Sequence, residues 1–203
     1  PIRECCASDA QVAEELEASR SLARLASRLG IRLVGPGSIG IVHPASKLDA
    51  SFARAMPAPG SLALITRSGA TLAALLDMAA GSGVGVSLAV SCGQGRDIGT
   101  GQVLDFLTFD PTTRSIALVV ESINDSRAFV STLRAAARAK PVVVLHAGGQ
   151  LLGELERAAF DAAIARSGAV RVDTFGDLFS AVESLSARRM PRGERLGVVV
   201  NGP

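Results

Sequence analysis

Four short segments hold residue types that could do chemistry. Thr66-Arg67-Ser68-Gly69-Ala70 stands between the apolar run Leu62–Ile65 and a helical stretch opening at Ala70. Gly69 permits a tight turn, Ser68 offers a hydroxyl, and the first unpaired N–H groups of the helix converge on the same point. Together they make an anion or phosphate site to which Arg67 adds charge. The commoner role of such a serine is an N-cap, worth ~1 kcal/mol of stability. Cys92-Gly93-Gln94-Gly95-Arg96-Asp97 follows the next apolar run. It has glycines but neither the G-x-G-x-x-G spacing nor a P-loop lysine, and it reads as a surface turn. Glu121-Ser122 ends a third run. A carboxylate there could hold a cation or orient an imidazole, and the ordinary alternative is a solvated residue or a helix cap. His146, in Leu145-His146-Ala147-Gly148-Gly149, stands where a nucleophile or general base would stand. A histidine without an evident partner is more often structural, and the same holds for His43 beside Pro44.

These residues can cooperate only if the fold brings them to one edge. Apolar runs rich in Val, Ile and Leu recur at Ile31–Val34, Leu62–Ile65, Val84–Val90, Ile116–Val120, Val142–Leu145, Val170–Val172 and Leu196–Val200. Continuous rather than alternating apolarity suits parallel strands covered on both faces. Helical stretches lie between them at Gln11–Arg28, Ala70–Ala80, Gly101–Phe109, Arg127–Ala139, Glu154–Arg166 and Asp177–Ala187. In the first, Val12, Leu16, Leu22, Leu25 and Leu29 follow one stripe, leaving Glu14, Glu15 and Arg20 for water. The alternation predicts an α/β fold, a doubly wound parallel sheet with right-handed crossovers and ligands at the carboxyl ends of its strands. Pro44, Pro57 and Pro59 punctuate a stretch without period, so 45–60 reads as a linker and the main domain is expected from Ser61. Met190-Pro191-Arg192-Gly193 is a second break, before a strand expected to open a further domain.

Composition narrows the function classes. A net charge of +2 is too small for a polyanion binder, and with no Trp, no Tyr and seven Phe the aromatic platforms that stack bases are mostly missing. No apolar run approaches the ~20 residues of a membrane span, and no signal-like segment opens the chain. Cys5, Cys6 and Cys92 lack metal-type spacing and read as reduced thiols of a cytoplasmic protein. His43 and His146, the 2 histidines, form no zinc motif, so no metal is expected. All but Lys47 and Lys140 of the 21 basic residues are arginine, which reads as the codon bias of a GC-rich genome. The chain begins at Pro1 and stops at Pro203 after a strand-like run, as a piece of something longer would.

Several ordered motifs resemble one family. Gly35-Pro36-Gly37-Ser38-Ile39-Gly40-Ile41-Val42-His43-Pro44 resembles the "GPNSLGIINP" segment of NDP-forming acyl-CoA synthetases, relatives of the succinyl-CoA synthetase α-subunit. Phe52-Ala53 and Pro57-Ala58-Pro59-Gly60 look like that family's linker, and Leu64–Ala70 is similar to its "LVSQSGA" turn. Asp110–Arg114, Val120–Ile123 and Ala135–Val142 follow in the family's order. The resemblance implies 1–44 as the C-terminal part of a CoA-binding Rossmann-like domain, 45–60 as linker, 61–190 as a flavodoxin-like synthetase domain of five parallel strands, and 191–203 as the start of a further α/β domain. It implies CoA or acetyl-CoA as ligand, held mostly upstream of this chain. It also implies a phosphate site at Ser68 and Gly69, joined by Arg67, Gly35, Pro36 and Ser38, with Glu121 as the partner of a phosphohistidine.

The pattern breaks at the carrier loop. The family places its histidine in an "SHTGA"-like loop after a "KSGR" strand end, which here corresponds to His146-Ala147-Gly148-Gly149. Between Gly148 and Phe160 there is no histidine and too little chain for the loop, and His146 precedes it. Gly37 replaces the family Asn. A degenerate module of this kind resembles that of Pat-type bacterial protein lysine acetyltransferases, where it is fused to a GNAT-type domain. The run Leu178–Ser186 followed by Arg192–Leu196 is similar to their "LFSAVETLS…RGDRL" stretch. The leading expectation is therefore a non-catalytic CoA-sensing or assembly module, with acetyltransferase and ATP-grasp-like domains as partners and self-association left open. A fragment of an active acetate–CoA ligase and a ligand-free interaction domain are the alternatives. Any residual catalysis falls to His146 and Glu121, and the phosphate site is vestigial.

Overall fold

The computed structural model describes residues 9–121, 123, 125–148, 153–186, 193, 197 and 199. A helix, α1 (Asp9–Arg28), precedes a short hairpin, β1 (Gly40–His43) and β2 (Leu48–Ser51), closed by the 3-10 turn Pro44–Ser46. Then come β3 (Pro59–Thr66), α2 (Gly69–Ser82), β4 (Val86–Ser91), α3 (Thr100–Phe109) and β5 (Ser115–Val120). α4 (Ser126–Ala139), β6 (Val142–His146), α5 (Glu154–Ser167), β7 (Val170–Val172) and α6 (Phe175–Ser186) complete the order.

These strands form one sheet in the order β2-β1-β4-β3-β5-β6-β7. From β4 to β7 every pairing is parallel. Counted from β3, the five parallel strands run 2-1-3-4-5, the flavodoxin-like order. β4 and β5 are buried along their whole length and are apolar but for Ser87, Ser91 and Ser115. Alternation along β3 divides the core. Ala63 and Ile65 face Val103, Leu104 and Leu107 of α3, Phe129 and Leu133 of α4 and Ile164 of α5. Leu62 and Leu64 face Leu72, Leu75 and Leu76 of α2 and Leu178 and Val182 of α6. Burying each such side chain is worth about 1.5–3 kcal/mol.

Three expectations need correction. Ile31–Val34 is not a strand: its single ladder contact is Val34 with Ile98, because Leu33 N–H goes to a side chain, Asp97, instead of a neighbouring strand. The stretch 45–60 is not without regular structure, since it holds β2 and the first residues of β3. The hairpin extends the sheet at its β4 edge, where β1 pairs antiparallel with β4. Leu22, Leu25 and Leu29 of the α1 stripe stand exposed, and Ala26 is the buried position there. The strand expected at Leu196–Val200 lies outside the described residues, apart from Gly197 and Val199, which have no regular structure.

Candidate binding cleft at the carboxyl edge of the sheet

The chain winds from β3 to β4 on one side, then crosses back over β3 to reach β5. Strand order therefore reverses at β3, and a crevice is expected outside the carboxyl ends there. A cleft of about 290 Å³ lies at that point. The β4–α3 loop forms one wall, from Cys92 to Gly99, and the first turn of α3 continues it. Arg67 enters from the end of β3, and Val120, Ile123, Asp125 and Phe129 close the β5–α4 side.

The loop is fixed from two directions. Strand hydrogen bonding runs on past β3 and β4: Cys92 N donates to Thr66 O at 2.8 Å and Gly93 N to Arg67 O at 3.0 Å. In return Arg67 Nε donates to Gly93 O at 3.0 Å, so its guanidinium is anchored at the cleft. From the other side comes the segment before β1. Gln94 N donates to Pro36 O at 2.8 Å and Arg96 N to Gly35 O at 3.4 Å. Gly93, at φ +57, comes so close to Pro36 that a Cβ would lie 2.1 Å from its carbonyl oxygen.

The three helices that open around the reversal point, α2, α3 and α4, differ at their first turns. Ser68 caps α2, its Oγ accepting from Thr71 N at 3.2 Å, and Asp125 caps α4, accepting from Ala128 N at 2.9 Å. α3 begins after Gly99, which has no side chain to offer, and Gln102 Oε1 accepts from Gly99 N at 3.1 Å. Thr100, Gly101 and Gln102 line the cleft, and their N–H groups lack an intrahelical acceptor, as in any first turn. The dipole of α3 places partial positive charge at the same point. Both acids of the cleft are engaged: Asp125 caps α4, and Asp97 pairs with Arg32 at 2.9 Å. That pairing, with the Leu33 N–H, holds the Asp97 carboxyl below its usual range. Arg67, Arg96 and the open turn of α3 therefore present a cationic face to a ligand, which suits a phosphate-bearing group.

Cys92 lies at the cleft floor, 1% exposed. Burial pushes its thiol up to about 11, against a hydrogen bond to Thr100 and the charge of Arg67. It stays protonated at neutral pH and is no nucleophile.

Of the residues singled out by sequence, the cleft takes in Arg67 but not Ser68 or Gly69. Ser68 fills the capping role. Gly69 is covered by Ile39, whose Cγ2 would lie 2.2 Å from a Cβ there. Gly35, Pro36 and Ser38 are not lining residues either; they brace the loop and β4, Ser38 Oγ donating to Ser91 O. Glu121 is exposed just beyond Val120. His146 sits across the β5–β6 ladder, paired in register with Val120. Its ring stacks on Phe160, with centroids 4.0 Å apart and planes at 24°. Burial and then the Arg171 charge push its pKa down, with Asp161 opposing. His43 Nδ1 meets Ser46 Oγ at 2.8 Å in the hairpin turn. No cluster of metal-ligating side chains occurs among the described residues. No helix among them is long and apolar enough to cross a membrane. The segment read as a surface turn, Cys92–Asp97, is the principal wall. Its two glycines directly after a strand, at a reversal of strand order, were the signal that could have found it.

Residues 59–185 match the protein family described as succinyl-CoA ligase-like flavodoxin domain. The α-subunit of ADP-forming acetate–CoA ligase I from Pyrococcus furiosus is 31% identical, over 93% of this chain and 43% of its own length. ADP-forming 4-hydroxybutyrate–CoA ligase from Nitrosopumilus maritimus is 30% identical, over 87% of this chain and 28% of its own. Among solved structures, acetyl-coenzyme A synthetase 1 of Ca. Korarchaeum cryptofilum, in complex with phosphate and ADP, superposes with a TM-score of 0.81. It is 29% identical, with 88% of this chain and 41% of that one covered. The chain thus spans less than half the length of these relatives.

Proposed function

This chain belongs to the family of succinyl-CoA ligase-like flavodoxin domains, and from that premise we propose that it is the phosphate-facing part of an ADP-forming acyl-CoA ligase. The observation that carries the reading is the cleft at the strand-order reversal, where Arg67, Arg96 and the open first turn of α3 converge. Joining a carboxylic acid to a thiol at the expense of a nucleotide requires an activated acyl group, and a site that neutralises phosphate is what such a step needs. In this reading Arg67 binds and orients the phosphate. The α3 amides hold its oxygens, and the apolar side of the cleft at Val120, Ile123 and Phe129 excludes water. Coenzyme A, when bound, supplies the thiol. A nucleotide-binding partner domain and a cytoplasmic setting belong to the same proposal.

The chain is a ligand-binding half without a phosphohistidine of its own. Its two histidines have structural places, His43 in a turn and His146 stacked on Phe160 at the end of β6. A ring so packed cannot travel between distant sites as a carrier must. The acetyltransferase module is the weaker reading, since the named relatives are ligases. The run that suggested it, Leu178–Ser186, has Leu178 and Val182 buried in the core, so its apolar spacing already answers to the packing of α6.

The test incubates the full-length parent with nucleotide labelled in the transferable phosphate, and in parallel titrates it with inorganic phosphate and coenzyme A. Binding of phosphate, without acid-labile phosphate on this domain, is expected. Label that disappears in His146→Ala would overturn the absence of a carrier. Failure to bind phosphate would overturn the cleft assignment.

A further inference from the structure

We propose that Asp97 is a positioning residue for the phosphate-binding loop, fastening it to the segment before β1; this rests on the reading of the cleft given above. The loop from Gly93 to Gly99 holds three glycines and neither helix nor strand, and its own amides donate to protein carbonyls. What it offers a ligand is the Arg96 side chain and the start of α3, which keep fixed places only if something outside the loop holds it. The Asp97 side chain reaches across to that segment. Arg32 Nε donates to Oδ1 at 3.1 Å and to Oδ2 at 3.0 Å, and Leu33 N donates to Oδ2 at 2.7 Å. A guanidinium fork on a carboxylate fixes orientation as well as distance.

The anchor lies where it matters. Asp97 stands between Arg96, which faces the cleft, and Gly99, where α3 begins, so a shift of its carboxylate moves both the cation and the helix amides. Ile98 N donates to Leu33 O at 3.0 Å and continues the attachment. The other end of the same segment reaches β4, through Ile39 N donating to Ser91 Oγ at 3.3 Å, and covers the start of α2 at Gly69. One stretch distant in sequence thereby sets the loop against both strands of the reversal point. Where a site orients reacting groups, a misplacement of about 1 Å can change a rate by about a hundredfold.

The experiment measures inorganic phosphate affinity and backbone amide exchange at Gln94, Arg96 and Ile98 in the 203-residue chain, well below its melting temperature. Asp97→Ala is expected to weaken phosphate binding by about tenfold and to speed exchange at all three amides. Asp97→Asn keeps an acceptor for Leu33 and falls between. The Arg32 side chain is 62% exposed, so Arg32→Gln should leave the fold intact and weaken binding by no more than about fivefold, with Arg32→Lys restoring part of it. The Arg32→Gln/Asp97→Asn double variant should be no weaker than Asp97→Asn alone. Asp173→Asn, at the exposed ion pair with Arg171 beyond β7, should change nothing. Unchanged phosphate affinity in Asp97→Ala, with the melting temperature lowered, would mean a structural role only and overturn the proposal. Wild-type chain that binds no phosphate while its loop amides stay protected would instead overturn the functional reading, and the positioning role with it.

Discussion

At the amino edge of the parallel sheet, Asp110 accepts from Thr112 Oγ1 at 2.8 Å and from Thr113 Oγ1 at 2.6 Å. Thr113 also meets Ser87 Oγ at 2.7 Å in the core, and Lys140 Nζ donates to Leu107 O at the end of α3. A cation at a helix C-terminus is where the macrodipole favours one. Burial pushes the Asp110 carboxyl up, but hydrogen bonds from Thr113 and Thr112 and the charge of Lys140 together hold it below the usual range. At the carboxyl edge, the first turn of α3 tells the opposite story. The first-turn amides have no intrahelical acceptor, the adjoining loop is rich in glycine, and the nearby acids are turned away to Arg32 and α4. One edge satisfies its polar groups internally and holds the fold together; the other leaves donors facing a cleft, where a ligand can complete them.

The strongest way to break this contrast is Gly93→Ala. A left-handed backbone costs a non-glycine residue roughly 1–2 kcal/mol, and the new Cβ would strike the Pro36 carbonyl oxygen. Titration should show phosphate affinity falling by about tenfold, with a lowered melting temperature. Thr113→Val attacks the other edge. Thr113 is 2% exposed, and its loss strips Ser87 of a buried partner, so thermal unfolding should register a destabilisation of ~1–3 kcal/mol while phosphate affinity stays unchanged.

Much of the scaffold was legible for a simple reason. Strands covered on both faces must be largely apolar, and β3 to β6 were marked by such runs; β7, Val-Arg-Val, lies exposed at an open edge. The hairpin was not legible, because four-residue strands at an open edge need no apolar run: β2, Leu-Asp-Ala-Ser, is mostly exposed. Ile31–Val34 is apolar for a different purpose, bracing a loop, and no local pattern separates that from a strand. The site divides in the same way. Arg67 could be read because a turn between strand and helix has a local signature. The Arg32–Asp97 pair joins residues 65 apart, and neither residue is unusual until the chain folds.

A smaller effect concerns pH. His146 is held below its ordinary 6.5 by burial and by Arg171. The unfolded chain therefore takes up a proton near pH 6.5 that the folded chain refuses until lower pH, and stability must decline as pH falls through that window. Asp97 and Asp110, depressed carboxylates, contribute stability above the ordinary carboxylate range and lose it only at still lower pH, as the medium falls through their folded values. Denaturant unfolding across pH should show the first decline in the wild type and lose it in His146→Gln, with the acid-range decline retained.

Most direct is an amide-resolved titration of the chain with inorganic phosphate. Chemical-shift changes should gather at the Thr100–Gln102 amides and reach Gly93 and Gly95 only weakly, because their N–H groups already donate to Arg67 O and Cys92 O. They should weaken in Arg67→Gln and leave the Asp110–Arg114 and Lys140 amides where they were. Saturable changes at the amino edge instead, or none at the α3 first turn, would contradict the assignment of the carboxyl-edge cleft as the binding site.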